Sequence, residues 1–214
     1  MRLTSPSSRT DLRQELLLPL YVIRHGQTDW NAERRLQGQR DIELNEVGRE
    51  QARVNGLTLA ALLGDTAESF DYVASPLKRT RATMEIVRAA MGLAPPEYRT
   101  DERLVEVSFG AWEGSTLKEV KLTQPDRLAE RNAAKWDFIP PGEDAESYEI
   151  LSWRVGAWLQ SVDKPTVCVA HGGVIRALFR LIADTPKNEA AEGQIPQDRI
   201  LKIDLGAKTI GWID

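Results

Sequence analysis

Two short apolar runs, each ending in a histidine and a glycine, dominate the pattern of hydrophobic and polar positions along the chain. The first run covers residues 20–24 and leads into His25, and the second covers residues 166–170 and leads into His171. Short continuous apolar runs bounded by turn residues are typical of buried strands, and a glycine allows the chain to turn sharply after the imidazole. We therefore predict that both histidines stand where a buried strand becomes a loop.

Longer stretches with helical spacing alternate with the apolar runs. The predicted helices cover residues 46–63, 77–90, 146–162 and 173–183. Further extended segments are predicted over residues 71–75, 99–106, 199–205 and 209–214, the last two as a hairpin. The apolar face of the first helix, which we expect to be buried, consists of Val47, Val54, Leu57 and Ala61. Strands that alternate with helices predict an α/β fold, a three-layer α/β/α sandwich around a mostly parallel central sheet.

A polar stretch over residues 115–141 interrupts this alternation, and we predict that it is a helical insertion over the active site. Residues 1–17 are predicted to form a polar N-terminal extension, and residues 18–214 the folded domain. A length of 214 residues is ample for one domain with a hydrophobic core.

Composition and charge narrow the classes of partner. The net charge of −4 disfavours nucleic acid and anionic membranes. No apolar run approaches the roughly 20 residues that span a bilayer. The one cysteine, Cys168, lies in a predicted buried strand, which predicts an inert thiol and fits a cytoplasmic location. The choice between a monomer and a homodimer stays open.

The placement of the histidines predicts an enzyme active site. Parallel α/β sheets bind ligands at the carboxyl ends of their strands, where both imidazoles are expected. Histidine is also the side chain best suited to nucleophilic or proton-transfer chemistry near neutral pH. Further polar groups follow at the ends of predicted elements, in residues 24–31, 75–81, 106–114 and 170–176.

These segments resemble the motifs of the histidine phosphatase superfamily, also called the phosphoglycerate-mutase-like family. The resemblance rests on Arg24-His25-Gly26 with Thr28 and Asn31, on Gln37-Gly38, on Ser75-Pro76-Leu77 with Arg79, on Glu106 ahead of Phe109-Gly110 and Trp112-Glu113-Gly114, and on His171-Gly172-Gly173. It covers about residues 18 to 182.

The resemblance implies hydrolysis of a phosphomonoester on a small phosphorylated metabolite, without metal or other cofactor. His25 would be the nucleophile that takes up the phosphoryl group, and Glu106 the acid that protonates the leaving oxygen and then activates water. The residues that would bind phosphate oxygens are Arg24, Arg79 and His171, and those implied in substrate binding are Asn31, Gln37, Gly38 and Gly172. Guanidinium groups suit the spread charge of a phosphoryl group because they offer planar pairs of donors.

Three alternatives stay open. A mutase of the phosphoglycerate type would share the phosphohistidine, but the region expected to cover the pocket is acidic and aromatic, which favours water as the acceptor. That region contains Trp112, Glu113, Trp136, Glu143, Asp144 and Glu146. A non-catalytic phosphate-binding protein of the same fold would not require the histidines, arginines and glutamate together. A metallohydrolase is disfavoured because neither histidine has a metal-ligand motif beside it.

Some positions depart from the family pattern or compete for a role. The departures, which bear on substrate choice, are Gln27, Glu43, Asn45 and the acidic segment 142–147. Glu102 and Glu113 are rival acids to Glu106. Arg176 is predicted to lie on a helix surface or in a salt bridge.

Overall fold

A six-stranded sheet forms the centre of the fold. The computed structural model describes residues 18–213, so the predicted extension over residues 1–17 and Asp214 lie outside the described residues. The strands are β1 (Pro19–Arg24), β2 (Asp71–Ala74), β3 (Arg99–Thr100), β4 (Thr166–Ala170), β5 (Ile200–Asp204) and β6 (Thr209–Ile213). Their order is β3-β2-β4-β1-β5-β6. The first four strands are mutually parallel, and the predicted terminal hairpin, β5 and β6, adds two antiparallel strands beside β1.

Helices cover both faces of this sheet. They are α1 (Asp29–Ala32), α2 (Glu46–Leu63), α3 (Lys78–Ala90), α4 (Leu117–Thr123), α5 (Pro125–Ala133), α6 (Tyr148–Leu159), α7 (Gly172–Ala183) and α8 (Lys187–Glu192). Side chains of a strand alternate between its faces: Leu20 and Val22 join a core with α6 and α7, whereas Tyr21 and Ile23 join a core with α2 and α3. The two cores confirm the predicted three-layer sandwich.

The register of the sheet brings the two histidines together. In the parallel pair β1 and β4, Arg24 is aligned with Ala170 at the carboxyl ends. The backbone N–H of His25 donates to the Ala170 carbonyl at 3.0 Å. His25 and His171 therefore leave the sheet side by side, which confirms that both stand at strand ends.

The buried face of α2 differs from the predicted one. All four residues of the predicted apolar face are exposed: Val47, Val54, Leu57 and Ala61. The inward face carries several small residues, and at Gly56 an added Cβ would lie only 2.7 Å from the carbonyl oxygen of Val87 in α3. The prediction is wrong because this close helix contact needs glycine, which a pattern of apolar side chains does not register.

Two elements are shorter than predicted because polar side chains set their boundaries. The extended segment predicted over residues 99–106 is a strand only in β3, since the Asp101 side chain then caps a 3₁₀ turn. The helix predicted over residues 146–162 is α6, and it begins after Ser147, whose hydroxyl accepts a hydrogen bond from the Ile150 N–H at 3.2 Å.

The insertion predicted over residues 115–141 contains α4 and α5. Its buried cluster is small, with Val120 and Leu128 packed on Trp112, and with Leu36 and Phe109 packed against them. The insertion therefore rests on two loops rather than on the sheet.

Two expectations from the sequence concern the single cysteine and the helices. Cys168 is buried in β4, and burial raises the pKa of its thiol, as expected for an inert cysteine. Within residues 18–213, no helix combines the length and the apolar character needed to cross a membrane.

Candidate active site

The imidazoles of His25 and His171 lie against each other at the carboxyl ends of β1 and β4. Their ring centroids are 5.2 Å apart in an edge-on arrangement, and the two residues are 3% and 0% exposed. Burial, and then the positive charge of Arg79, lower the pKa of both imidazoles well below the usual value. Both histidines are therefore neutral at neutral pH.

One hydrogen bond determines which nitrogen of His25 can react. Nδ1 lies 2.8 Å from the carbonyl oxygen of Gly26, and because a carbonyl can only accept, Nδ1 carries the proton. The lone pair is then on Nε2. A neutral imidazole with a free Nε2 has the form that a nucleophile requires.

Two guanidinium groups accompany the histidines. Arg24 donates to the Ile195 carbonyl at 2.6 Å, and Arg79 donates to the carbonyls of Gly38 and Arg40 at 2.8 and 2.6 Å. Burial lowers the pKa of each arginine to about 10, so both stay charged at neutral pH. Among residues 18–213, neither guanidinium forms a salt bridge with a carboxylate. Their positive charges are therefore available to an anion.

Buried polar atoms without a partner concentrate at this site. Across the described residues, the buried side-chain atoms with no hydrogen bond are Arg24 Nε, Arg79 Nε, Gln37 Oε1, His171 Nδ1 and Trp158 Nε1. All but the tryptophan belong to residues that the sequence assigns to the site. Leaving such a group unpaired costs about 1–3 kcal/mol, so a cluster of them indicates groups that a ligand would satisfy.

His171 is oriented by the residue that follows β2. Its Nε2 lies 2.8 Å from the hydroxyl oxygen of Ser75, and Ser75 is anchored by its N–H, which donates to the Val169 carbonyl at 3.0 Å. The Nδ1 of His171 is then the ring nitrogen left for a ligand.

The Glu106 carboxylate is fixed at the amino end of α7. Its two oxygens accept from the Gly173 N–H at 3.0 and 3.1 Å, and Oε1 also accepts from the Val107 N–H at 2.9 Å. The first turn of α7 therefore holds the carboxyl group of Glu106 in place. Of the rival acids, Glu102 is exposed, whereas Glu113 lies beside Gly38 and accepts hydrogen bonds from the N–H groups of Gln39 and Phe109.

A cavity of about 140 Å³ opens between these groups. The predicted site residues that line it are Arg24, His25, Asn31, Gln37, Gly38, Arg79, Glu106 and Gly172. The remaining one, His171, packs against His25. A larger cavity of about 660 Å³ lies beside Tyr72 and Arg88 and contains none of these residues. The structure thus brings all of the predicted site residues to one place.

Residues to which the sequence assigns no role in the site also line the same cavity. They are Arg35, Leu36, Phe109, Tyr148 and Arg176. The prediction that Arg176 lies on a helix surface or in a salt bridge is wrong. Gly172 and Arg176 are four residues apart and share one face of α7, and this spacing is the signal that could have placed Arg176 in the cavity.

Gln197 supports the site without lining the cavity. Its Nε2 donates to the His25 carbonyl at 2.9 Å and to Asn31 Oδ1 at 3.2 Å. Asn31 Oδ1 also accepts from the Thr28 N–H at 3.1 Å, so the Nδ2 end of Asn31 is the end that can donate to a ligand. Gln197 stands far along the chain from both partners, and no local motif marks it.

The departures from the family pattern stabilise loops around the cavity. Gln27 Oε1 accepts from Asn45 Nδ2 at 3.1 Å, so these two departures pair with each other. In the acidic segment, Glu146 forms a salt bridge with Arg154 at 2.8 Å, and Arg154 also donates to the Glu106 carbonyl at 3.0 Å. This ion pair therefore holds the loop that carries Glu106.

The acidic and aromatic cover predicted over the pocket does not line the cavity. None of its predicted members does so: Trp112, Glu113, Trp136, Glu143, Asp144 and Glu146. Trp112 and Trp136 are instead buried in hydrophobic clusters, where burial of a large aromatic surface is favourable. The insertion packs on Leu36 and Phe109, which line the cavity beside the basic side chains of Arg35 and Arg176.

Known protein families and curated proteins match this chain over most of its length. The model of the histidine phosphatase superfamily (branch 1) matches residues 20–211. The chain is 36% identical over 179 residues to a glucosyl-3-phosphoglycerate phosphatase of Mycobacterium tuberculosis, which covers 78% of this chain and 76% of that protein. It is 35% identical over 177 residues to phosphoglycerate mutase-like protein 4 of Arabidopsis thaliana. That match spans 80% of this chain and 74% of the Arabidopsis protein.

Solved structures share the fold. Bacillus stearothermophilus YhfR superposes with a TM-score of 0.72 at 30% identity. The superposition covers 88% of this chain and 92% of the YhfR chain. Mycobacterial glucosyl-3-phosphoglycerate phosphatase in complex with VO3 superposes with a TM-score of 0.72 at 29% identity. The superposition covers 91% of this chain and 96% of the mycobacterial chain. The chain therefore belongs to the histidine phosphatase superfamily, as its motifs predict, and the expectation of a phosphatase agrees with the names of its mycobacterial relatives.

Proposed function

We propose that this protein hydrolyses phosphomonoesters of small metabolites through a phosphohistidine intermediate on His25. The observation that carries the proposal is the group of buried, unpaired nitrogens around the neutral imidazole: Arg24 Nε, Arg79 Nε and His171 Nδ1. A phosphoryl group presents several negatively charged oxygens, which charged donors bind strongly. The glucosyl-3-phosphoglycerate phosphatase at 36% identity supports the choice of substrate class.

In the first step, Nε2 of His25 attacks phosphorus, and the bond from phosphorus to the ester oxygen breaks. Arg24 and Arg79 stabilise the charge on the phosphoryl oxygens. Glu106 in its protonated form gives its proton to the leaving oxygen, so the alcohol departs neutral. The positive charge left on the phosphorylated imidazole is stabilised by the hydrogen bond from Nδ1 to the Gly26 carbonyl.

In the second step, water takes the place of the alcohol. The Glu106 carboxylate removes a proton from the water as its oxygen attacks phosphorus. The bond from phosphorus to Nε2 breaks, inorganic phosphate leaves, and neutral His25 is restored. The hydrogen bonds from Gly173 and Val107 keep the same carboxylate in place for both steps.

A phosphoglycerate-type mutase is a second candidate, favoured by the basic side chains of Arg35 and Arg176 in the cavity wall. A mutase excludes water and holds the dephosphorylated intermediate through extra basic groups. The relative from Arabidopsis thaliana is named as mutase-like. With 3-phosphoglycerate and a trace of 2,3-bisphosphoglycerate, we expect little 2-phosphoglycerate. Isomerisation faster than phosphate release from any phosphomonoester would favour the mutase.

We also propose that the enzyme works in the cytoplasm on free metabolites, as a monomer or a homodimer, and not on nucleic acid or membranes. The net charge of −4 and the buried thiol of Cys168 support this setting.

A screen of phosphorylated metabolites with detection of free phosphate tests the proposed function. Wild type should release phosphate from at least one metabolite and from p-nitrophenyl phosphate, and His25→Ala should release none. Lys121→Met, which removes an exposed charge of α4, should match wild type. Vanadate should inhibit, and a chelator should not. No release from any phosphomonoester, release by His25→Ala at the wild-type rate, or chelator inhibition reversed by a divalent metal would contradict the proposal.

A further inference from the structure

Gln197, in the segment between α8 and β5, contacts two residues of the site with one amide group. Its Nε2 lies 2.9 Å from the His25 carbonyl oxygen and 3.2 Å from Asn31 Oδ1. An amide nitrogen carries two N–H groups, so it can donate one to each acceptor. Gln197 therefore links the backbone of the proposed nucleophile to a side chain of the cavity wall.

Gln197 is itself anchored on α2. Asn55 Nδ2 donates to the Gln197 carbonyl at 3.0 Å, and Asn55 is 2% exposed on the inward face of that helix. A buried amide that loses its partner is costly, so this hydrogen bond holds the backbone of Gln197 in place. The side chain of Gln197 thus extends toward the site from a fixed point.

The same helix also holds the loop that leaves β1. The Gln27 N–H donates to Gln51 Oε1 at 2.9 Å. At Gly26, an added Cβ would lie only 2.1 Å from the Gly48 carbonyl oxygen, so the loop and α2 are in direct backbone contact. Helix α2 therefore fixes the position of Gln197 relative to this loop.

The hydrogen bonds on Asn31 Oδ1 determine how its amide is oriented. Besides Gln197, Oδ1 accepts from the Thr28 N–H at 3.1 Å and from the Thr28 hydroxyl at 3.2 Å. A rotated amide would place Nδ2 against the N–H donors of Thr28 and Gln197, where it could not form a hydrogen bond with them. Nδ2 is therefore left to donate to a ligand in the cavity.

We propose that Gln197 is a positioning residue, which directs Asn31 Nδ2 at the phosphoryl group and keeps Asn31 at a fixed distance from the backbone of His25. The inference rests on the proposed phosphohistidine reaction and assigns Gln197 to the phosphoryl side of the cavity. Phosphoryl transfer depends mostly on positioning and on charge stabilisation, so a displaced donor lowers the rate even when the fold is intact.

Two substitutions of Gln197 change this link in different ways. Gln197→Leu removes both hydrogen bonds, and kcat/KM should fall about tenfold. Gln197→Glu places an acceptor against Asn31 Oδ1, so the Asn31 amide should rotate and give Nδ2 to the new carboxylate. The loss should then exceed that of Gln197→Leu. Gln160→Leu, which makes the same change at an exposed glutamine, is the matched control and should match wild type.

A double-substitution cycle with Asn31→Ala tests whether Gln197 acts through Asn31. Gln197→Leu should cost about tenfold in kcat/KM in the wild-type background but less than about threefold in Asn31→Ala, because residues that act as a unit are not additive. The Kd for vanadate, measured by calorimetry, should follow the same pattern. The loss should also be equal for p-nitrophenyl phosphate and for an alkyl phosphate, since Gln197 does not act on the leaving group.

The outcomes separate this inference from the reaction on which it rests. Additive losses in the cycle overturn it, because they assign Gln197 a structural role independent of Asn31. Unchanged kcat/KM and vanadate Kd in both Gln197 variants overturn it as well, as does a loss that depends on the leaving group. If Gln197→Leu does not fold, Gln197→Glu, which keeps the size and polarity of the side chain, takes its place in the cycle.

The wild type alone reports on the reaction. Absence of phosphate release from p-nitrophenyl phosphate would refute the proposed function instead. The vanadate cycle needs no turnover, so it would still decide whether Gln197 positions Asn31.

Discussion

The two ends of the cavity are built in different ways. The histidine end, formed by His25 and His171 with Arg24 and Arg79, stands where strands and a helix begin or end, and its side chains are held by backbone carbonyls and a serine. The basic end is Arg176 of α7, which donates to the carbonyls of Ala191 and Gly193, and Lys135 of the insertion contacts the same segment through Glu192. The sheet thus positions the histidine end, whereas packing between α7, α8 and the insertion positions the basic end.

Among the substitutions that test this comparison, the largest loss of kcat is expected at Glu106, which lines the cavity together with His25. Glu106→Gln should lower kcat by about a hundredfold for an alkyl phosphate, the usual effect of losing a general acid. The loss should be much smaller for p-nitrophenyl phosphate, whose leaving group needs no proton. Steady-state kinetics on both substrates measure this, with Glu102→Gln, an exposed rival acid, as the control. Equal losses for both leaving groups would remove Glu106 from the acid role.

The histidine end was predictable because its signals are local. The apolar runs before His25 and His171 define adjacent strands, and a serine and proline before α3 place Arg79. Lys135 has no such signal, because it lies in a polar stretch typical of a solvated surface. It approaches Arg176 only through tertiary packing, because Lys135 pairs with Glu192 and Arg176 donates to the neighbouring carbonyls of Ala191 and Gly193. A contact made by tertiary packing alone leaves no periodic pattern in the sequence.

The contact between α2 and α3 likewise combines one face that hydrophobic spacing predicts and one that it does not. The inward face of α3 carries Met84 and Val87, which hydrophobic spacing identifies, whereas the inward face of α2 uses Gly48 and Gly56. Glycine has no side chain to count, so hydrophobic spacing selects the exposed side of α2.

The dependence of the free energy of unfolding on pH tests the burial of the two imidazoles at the histidine end. The folded pKa of both imidazoles lies well below the unfolded value of 6.5. Below that pH the unfolded chain binds protons that the folded chain does not, so the free energy of unfolding falls as the pH falls. Each histidine should contribute a slope of about 1.4 kcal/mol per pH unit between 6.5 and its folded pKa.

Chemical denaturation at several pH values between about 7 and 5.5 measures this slope. The chain has only two histidines, so His171→Gln should halve the slope in that window. Lys121→Met, which changes an exposed side chain of α4, is the matched control and should leave the slope unchanged. Stability that stays constant from about pH 6.5 to 5.5 would contradict the burial of two neutral imidazoles.

Arg79 tests how far the histidine end depends on planar donors. Arg79→Lys keeps the charge but loses the fork and the hydrogen bonds to Gly38 and Arg40, so kcat/KM should fall about tenfold or more. Arg81→Lys, an exposed position of the same helix, provides the matched control and should behave as wild type. Unchanged kcat/KM in Arg79→Lys would show that charge alone suffices.

Arg154 should give the smallest effect, because it positions Glu106 without touching the reacting atoms. Arg154→Lys loses part of the contact with Glu146 and with the carbonyl of Glu106, and kcat should fall a few-fold. As for Glu106→Gln, the fall should be larger for alkyl phosphates than for p-nitrophenyl phosphate. A fall that is independent of the leaving group would indicate a general loss of structure.

Trapping of the phosphoenzyme tests the central claim most directly. Wild type mixed with a radiolabelled phosphomonoester and quenched within milliseconds should carry an acid-labile, base-stable label, and peptide mapping should place it on His25. His25→Ala should carry none. Wild-type turnover without such an adduct, or a label that persists in His25→Ala, would contradict the assignment of His25 as the nucleophile.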